Sequence, residues 1–181
     1  YRKMSRDHEQ RLREKKFEPS DIENGFLVSY THIVDPAGSV MEGGSAAPYS
    51  LEHEGRRFYL DDLYCANPEC DCRVTHLFFL EVIEKGPETA HLEDLFHVRV
   101  PFKGRPRLGD CPPEMRPLAQ TLLQLWAKKY PKQQSILKRH YAEIKKIAAR
   151  SFKDGATRGG QKPQPLKRRQ KVGRNESCPC G

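Results

Sequence analysis

The 181-residue chain contains no apolar run longer than four residues, and Leu77-Phe78-Phe79-Leu80 stops at Glu81. A membrane-crossing helix needs about 20 consecutive apolar residues, so no membrane span is expected. No N-terminal stretch has the charged-then-apolar order of a secretory leader, which makes the cytoplasm the default compartment. The chain begins at Tyr1 instead of Met, so its natural start is expected to lie upstream. Apart from a recurring Cys-x-Cys there is no internal repeat, and a solenoid of stacked repeats is excluded. Acidic residues are nearly missing from one part of the chain: residues 128–174 hold sixteen Lys/Arg and only Glu143 and Asp154.

That shortage divides the molecule electrostatically. Residues 17–127 carry nine Lys/Arg against eighteen Asp/Glu, a net of −9, whereas residues 128–174 reach +14. A basic rear half of this kind is the footprint of a polyanion binder, a nucleic acid or a ribonucleoprotein such as the ribosome. It equally describes a solvated helix and tail that lean on the protein's own acidic body.

Hydrophobic patterning gives the organisation. Residues 1–16, nearly all polar or charged, form a frayed helix at most. Phe26, Val28 and Tyr30 alternate with Ser29 and Thr31, which predicts a half-buried strand between Gly25 and Val34. The Gly/Ser/Pro-rich stretch 36–48 reads as a loop. Residues 57–64 predict a short strand, and 73–83 a central one covered on both faces, ended by Lys85-Gly86-Pro87. Phe96, Val98, Val100 and Phe102 make a further strand, with Pro101 favouring the sheet edge. After Pro112-Pro113 the period becomes helical, with Met115, Leu118, Leu122, Leu125 and Trp126 on one stripe. Pro131 breaks that helix, and a second follows through Leu137, Tyr141, Ile144 and Ala148, ending near Gly155. The fold class is therefore α+β: a small, mostly antiparallel sheet packed against a C-terminal helical pair, with a cysteine cluster and a basic tail. The expected parts are a charged N-terminal segment at 1–16, an α+β domain at 17–152, a basic linker at 153–172 and a separate terminal segment at 173–181.

Chemistry concentrates in the cysteines. Cys65, Cys70 and Cys72 fall within eight residues, a spacing that lets thiolates converge on one small ion, while disulfides between such near neighbours are strained. Asn67 and Pro68 are turn formers able to reverse the chain between the first two ligands. Zinc takes four tetrahedral ligands, and a closed site is structural. Three residues compete for the fourth place: Cys111, which would make an all-thiolate site, then His76, which shares strand parity with Cys72, then His53. A fourth position left to water would make a zinc-dependent enzyme with an open metal site, and Asp61, Asp62 and Asp71 nearby are read as solvated or capping groups. The absence of any longer cysteine series argues against an iron–sulfur cluster.

The chain ends Gly173-Arg174-Asn175-Glu176-Ser177-Cys178-Pro179-Cys180-Gly181. This segment resembles the opening of the SEC-C motif, a short zinc-binding element found at the C-terminus of the bacterial preprotein translocase ATPase. Cys178 and Cys180 match the first two ligands of the motif, and Gly173, Arg174, Asn175, Pro179 and Gly181 match its surroundings. The motif's second ligand pair is missing, so the sequence is expected to be cut short at this end too. The resemblance covers nine of 181 residues and implies Zn2+. In the translocase it also implies contact with a targeting chaperone and the ribosome.

Together these features predict a zinc-binding, non-enzymatic protein that contacts nucleic acid or a ribonucleoprotein through its basic C-terminal part. Lys138, Arg139, Lys145, Lys146 and Arg150 would meet phosphates from the second helix, and Lys167, Arg168 and Arg169 from the linker. No recognition motif accompanies the charge, so no base-specific reading is expected. An adaptor presenting its zinc tail to an acidic protein partner is the alternative from a different class.

Overall fold

Period-2 alternation builds a sheet of six strands. The computed structural model describes residues 10–17, 27–34, 49–86 and 89–158. In chain order the strands are β1 (Leu27–Ser29), β2 (Tyr49–His53), β3 (Arg56–Cys65), β4 (Val74–Gly86), β5 (Thr89–Pro101) and β6 (Arg107–Leu108). Their order in the sheet is β1-β3-β4-β5-β6, with β2 also paired to β3. From β2 through β6 every pairing is antiparallel. The helices are α1 (Tyr30–Val34), α2 (Arg116–Lys129) and α3 (Gln133–Arg158), with a 3-10 turn at Pro113–Met115 and a helical turn at residues 10–14. The class is α+β, as the patterning predicts. No helix among the described residues is long and apolar enough to cross a membrane.

Contacts divide the chain into two units, one of Ser29–Tyr64 and Arg73–Tyr141, the other of Tyr1–Val28, Cys65–Cys72 and Ala142–Gly181. In the larger unit one sheet face forms the core. Its register sets Tyr49 beside Leu60, Leu60 beside Phe79 and Phe79 beside Phe96, while the next row runs Asp62, Leu77, Val98. All seven are buried. Ala119, Leu122 and Trp126 supply the buried stripe of α2, and Leu137 that of the first turns of α3. The end of α2 is fastened to β2, since Lys129 Nζ and the Tyr130 hydroxyl donate to the Ser50 carbonyl at 2.8 and 2.9 Å. Tyr49 meets the rings of Trp126 and Tyr130 edge to face.

Several expectations need correction. Gly25–Val34 is not one strand, because the chain leaves β1 at Ser29 and turns helical. Ser29 explains the change: its Oγ accepts the His32 N–H at 3.3 Å, the helix-capping use of serine. Strand β2 was hidden behind the 36–48 loop, which itself lies outside the described residues. Its hairpin with β3 turns at Glu54 (φ 51°) and Gly55 (φ 74°), the paired left-handed residues that match strand twist. Strand β5 is not a bare edge, because β6 pairs with it at Val98 and Arg99, while Pro101 sits at the strand's last position where no ladder donor is needed. Pro131 does separate α2 from α3, but α3 runs past Gly155 to Arg158.

The smaller unit is held by side chains of the later part of α3. The Arg150 guanidinium donates to the carbonyls of Leu12 and Lys15, both at 2.8 Å, where a short helix leaves carbonyls without intrahelical donors. Next to it, Ser151 Oγ accepts the N–H of Phe17 at 2.9 Å, and the Phe17 ring is buried.

Candidate metal centre

Strand β3 delivers Cys65 to the site and then ends. Cys65 and Ala66 are buried, so the first ligand sits on the rigid end of a strand. The chain then turns as Asn67 and Pro68 predict: the Cys70 N–H donates to the Asn67 carbonyl at 3.2 Å, and Asn67 Oδ1 accepts the Glu69 N–H at 2.9 Å, an Asx turn. Arg73, with φ 48°, swings the backbone out of the cluster into β4. One atom from each of Cys65, Cys70 and Cys72 lies within 4.8 Å of the others. Thiolates bound tetrahedrally at about 2.3 Å from zinc stand roughly 3.8 Å apart, so these three fit around one ion with a small contraction. The cluster can hold a metal ion.

The same turn binds a cation from α3. Lys145 Nζ donates to the Asn67 carbonyl and, at 2.9 Å, to the Cys70 carbonyl. No fourth Cys, His, Asp or Glu joins the group among the described residues. Cys111, His76 and His53 all belong to the larger unit. There the Cys111 Sγ points to the Pro112 carbonyl at 3.6 Å, and burial pushes its thiol pKa up, against thiolate formation. Cys178 and Cys180 lie outside the described residues, as do Lys167, Arg168 and Arg169. Of the remaining basic candidates, Lys138, Arg139 and Lys146 are exposed on α3, whereas Lys145 and Arg150 are engaged with backbone carbonyls.

Asp62, expected from the sequence to be a solvated or capping group, is instead part of a polar network in the core of the larger unit. Asp62 is fully buried, and its Oδ2 takes the Tyr64 hydroxyl at 2.5 Å and His140 Nδ1 at 2.7 Å. Tyr30 stacks on the His140 ring with centroids 3.6 Å apart. Asp62 Oδ1 has no hydrogen-bond partner among the described residues. Burial, reinforced by the Asp62 carboxylate, holds the Tyr64 phenol well above its ordinary range. Neighbouring Asp61 accepts from Ser29 Oγ at 2.7 Å, yet burial outweighs that bond and raises its carboxyl pKa. His140 is 5% exposed, which makes the network structural in its present form, without access for a substrate. The sequence signal was a histidine at a position whose helical neighbours, Leu137 and Ile144, are fully buried.

No family model, curated protein or solved structure matches the chain. The functional reading therefore rests on the site alone.

Proposed function

We propose that the protein is a non-enzymatic zinc protein in which Zn2+ bound by Cys65, Cys70 and Cys72 organises the smaller unit, and that exposed cations of α3, continued by Lys167, Arg168 and Arg169, contact nucleic acid or a ribonucleoprotein. The observation that carries the reading is the convergence of three thiols within 4.8 Å on a turn closed by its own hydrogen bonds. Zinc suits this donor set because thiolates are the ligands of its structural sites. Its place in the molecule supports an organising role. The loop bearing the cysteines, residues 10–17 and the part of α3 from Ala142 onward belong to one unit.

The phosphate-binding part follows from exposure as well as charge. Lys138, Arg139 and Lys146 present their heads to water, so each can release one counterion on meeting a phosphate. Metal analysis of the purified full chain should give zinc that is lost when Cys70 and Cys72 are replaced by serine. Affinity for single-stranded RNA should fall as salt rises, and replacing Lys138, Arg139 and Lys146 by alanine should reduce the slope of log affinity against log salt by about 2, at ~0.7 per phosphate contact. Full zinc content in the Cys70→Ser, Cys72→Ser variant refutes the metal assignment. A slope untouched by the triple alanine variant refutes the contact assignment.

A further inference from the structure

Lys145 lies in the basic stretch of α3, and by charge alone it counts among the phosphate ligands. Its ammonium is instead turned onto the cysteine loop. It is half-buried and donates to two carbonyls, Asn67 O and Cys70 O, which bracket the turn between the first and second ligands. The Asn67 carbonyl also accepts the Cys70 N–H, so the ammonium and the turn's own amide fix one oxygen together. Residues 66–73 contain no helix or strand. Without an anchor, an irregular segment of this length loses backbone freedom on binding an ion, which opposes binding. An anchor that orders the turn in advance removes part of that cost. The anchor also brings a positive charge to a loop that would gather three thiolates around a divalent ion, a group with a net negative charge.

From this geometry we infer that Lys145 is a positioning residue of the metal centre: it holds the 65–72 loop in ligand geometry before the ion arrives and offsets the charge of the occupied site. The inference rests on the metal reading proposed above. Lys145 touches the backbone of the loop and is no ligand itself, so its removal should weaken binding without changing the donor set. Groups that orient metal ligands typically change affinity by about 10- to 100-fold. Arg150, five residues on, serves as the internal control, because it binds the carbonyls of Leu12 and Lys15 and not the loop.

The test titrates Co2+, and Zn2+ in competition with it, into the metal-free full chain in four forms: wild type, Lys145→Met, Lys145→Arg and Arg150→Met. Expected are a loss of affinity of about 10- to 100-fold in Lys145→Met, partial recovery in Lys145→Arg and wild-type affinity in Arg150→Met. The cobalt–thiolate charge-transfer and d–d bands should keep their positions in all four, since the ligands are unchanged. Wild-type affinity in Lys145→Met would overturn the assignment of Lys145 alone, as would an equal loss in Arg150→Met, which would reduce the effect to general damage to α3. Failure of the wild-type chain to bind Co2+ or Zn2+ would overturn the metal reading itself.

Discussion

Replacing His140 by leucine should cost far more stability than an average core substitution, and the cost should be recovered by removing more of the network. In the native core Asp62 Oδ2 has two hydrogen bonds, from Tyr64 at 2.5 Å and with His140 at 2.7 Å, while Oδ1 has no partner among the described residues. His140→Leu takes away one of the two and leaves a fully buried carboxyl with Tyr64 alone. Breaking a buried pair by deleting one partner costs about 3–5 kcal/mol. The lost ring stacking on Tyr30 adds about 0.5–1.5 kcal/mol. For a chain of this length each kcal/mol moves Tm by about 2–4 °C, so the single variant should melt roughly 7–26 °C lower. The triple variant Asp62→Leu, Tyr64→Phe, His140→Leu removes every polar member at once, and apolar replacement of a buried pair is often neutral or stabilising. It should therefore be more stable than His140→Leu alone, a strongly non-additive result. Urea unfolding followed by circular dichroism gives the comparison, with equal m-values required for a valid difference. A loss below about 1 kcal/mol in His140→Leu, or a triple variant at the sum of its singles, would refute the claim that the network is held by mutual satisfaction.

Asp61→Asn should raise stability at neutral pH. Burial lifts the folded-state carboxyl pKa above its unfolded value, so the native state loses stability as pH rises through the interval between the two, and the penalty persists above it. An amide keeps an acceptor for Ser29 Oγ without the charge, so thermal melts should show a gain at pH 7 that shrinks toward pH 3; a larger gain at pH 3 would contradict this sign. Gly109→Ala should destabilise by about 1–3 kcal/mol, as overpacking does. A Cβ there would sit 2.0 Å from Nε2 of His97, whose ring is held on its other side by the Asp110 N–H donating to Nδ1 at 3.2 Å. A chemical denaturation curve superimposable on wild type would show that the ring moves aside freely.

What could be read from the sequence was what is local. The three cysteines lie on one short loop, and the turn that brings them together is spelled by Asn67-Pro68 inside it. Strands β3, β4 and β5 were visible because each carries its own alternation, and α2 and α3 because each carries its own apolar stripe. Helix α1 was missed because five residues hold too little period to outvote the alternation before them, and only the capping use of Ser29 decides it. The core network could not be read at all. Asp62 and His140 are 78 residues apart, and both are residue types whose default place is the surface or a turn. Their pairing exists only once β3 and the start of α3 share a core.

The same distinction governs the charge count, and it bears on function. Net charge assigns every cation of α3 to an outside partner, because a sequence gives no account of backbone carbonyls that lack donors. Irregular loops and short helices create such carbonyls, and a long cationic side chain can satisfy them while keeping its stem packed. In the smaller unit Lys145 and Arg150 bind four carbonyls of the 65–72 loop and of residues 12–15, two each, and the Asn67 carbonyl also accepts the Cys70 N–H. Those cations are engaged within the protein, and withdrawing them for phosphates would leave the carbonyls of Leu12, Lys15 and Cys70 to find other donors and the Asn67 carbonyl with the Cys70 N–H. The basic surface is thus smaller than composition suggests and begins with Lys138, Arg139 and Lys146. Of the five α3 cations singled out from the sequence, Lys138, Arg139 and Lys146 are exposed, whereas Lys145 and Arg150 are bound to backbone carbonyls of the unit that carries the cysteines.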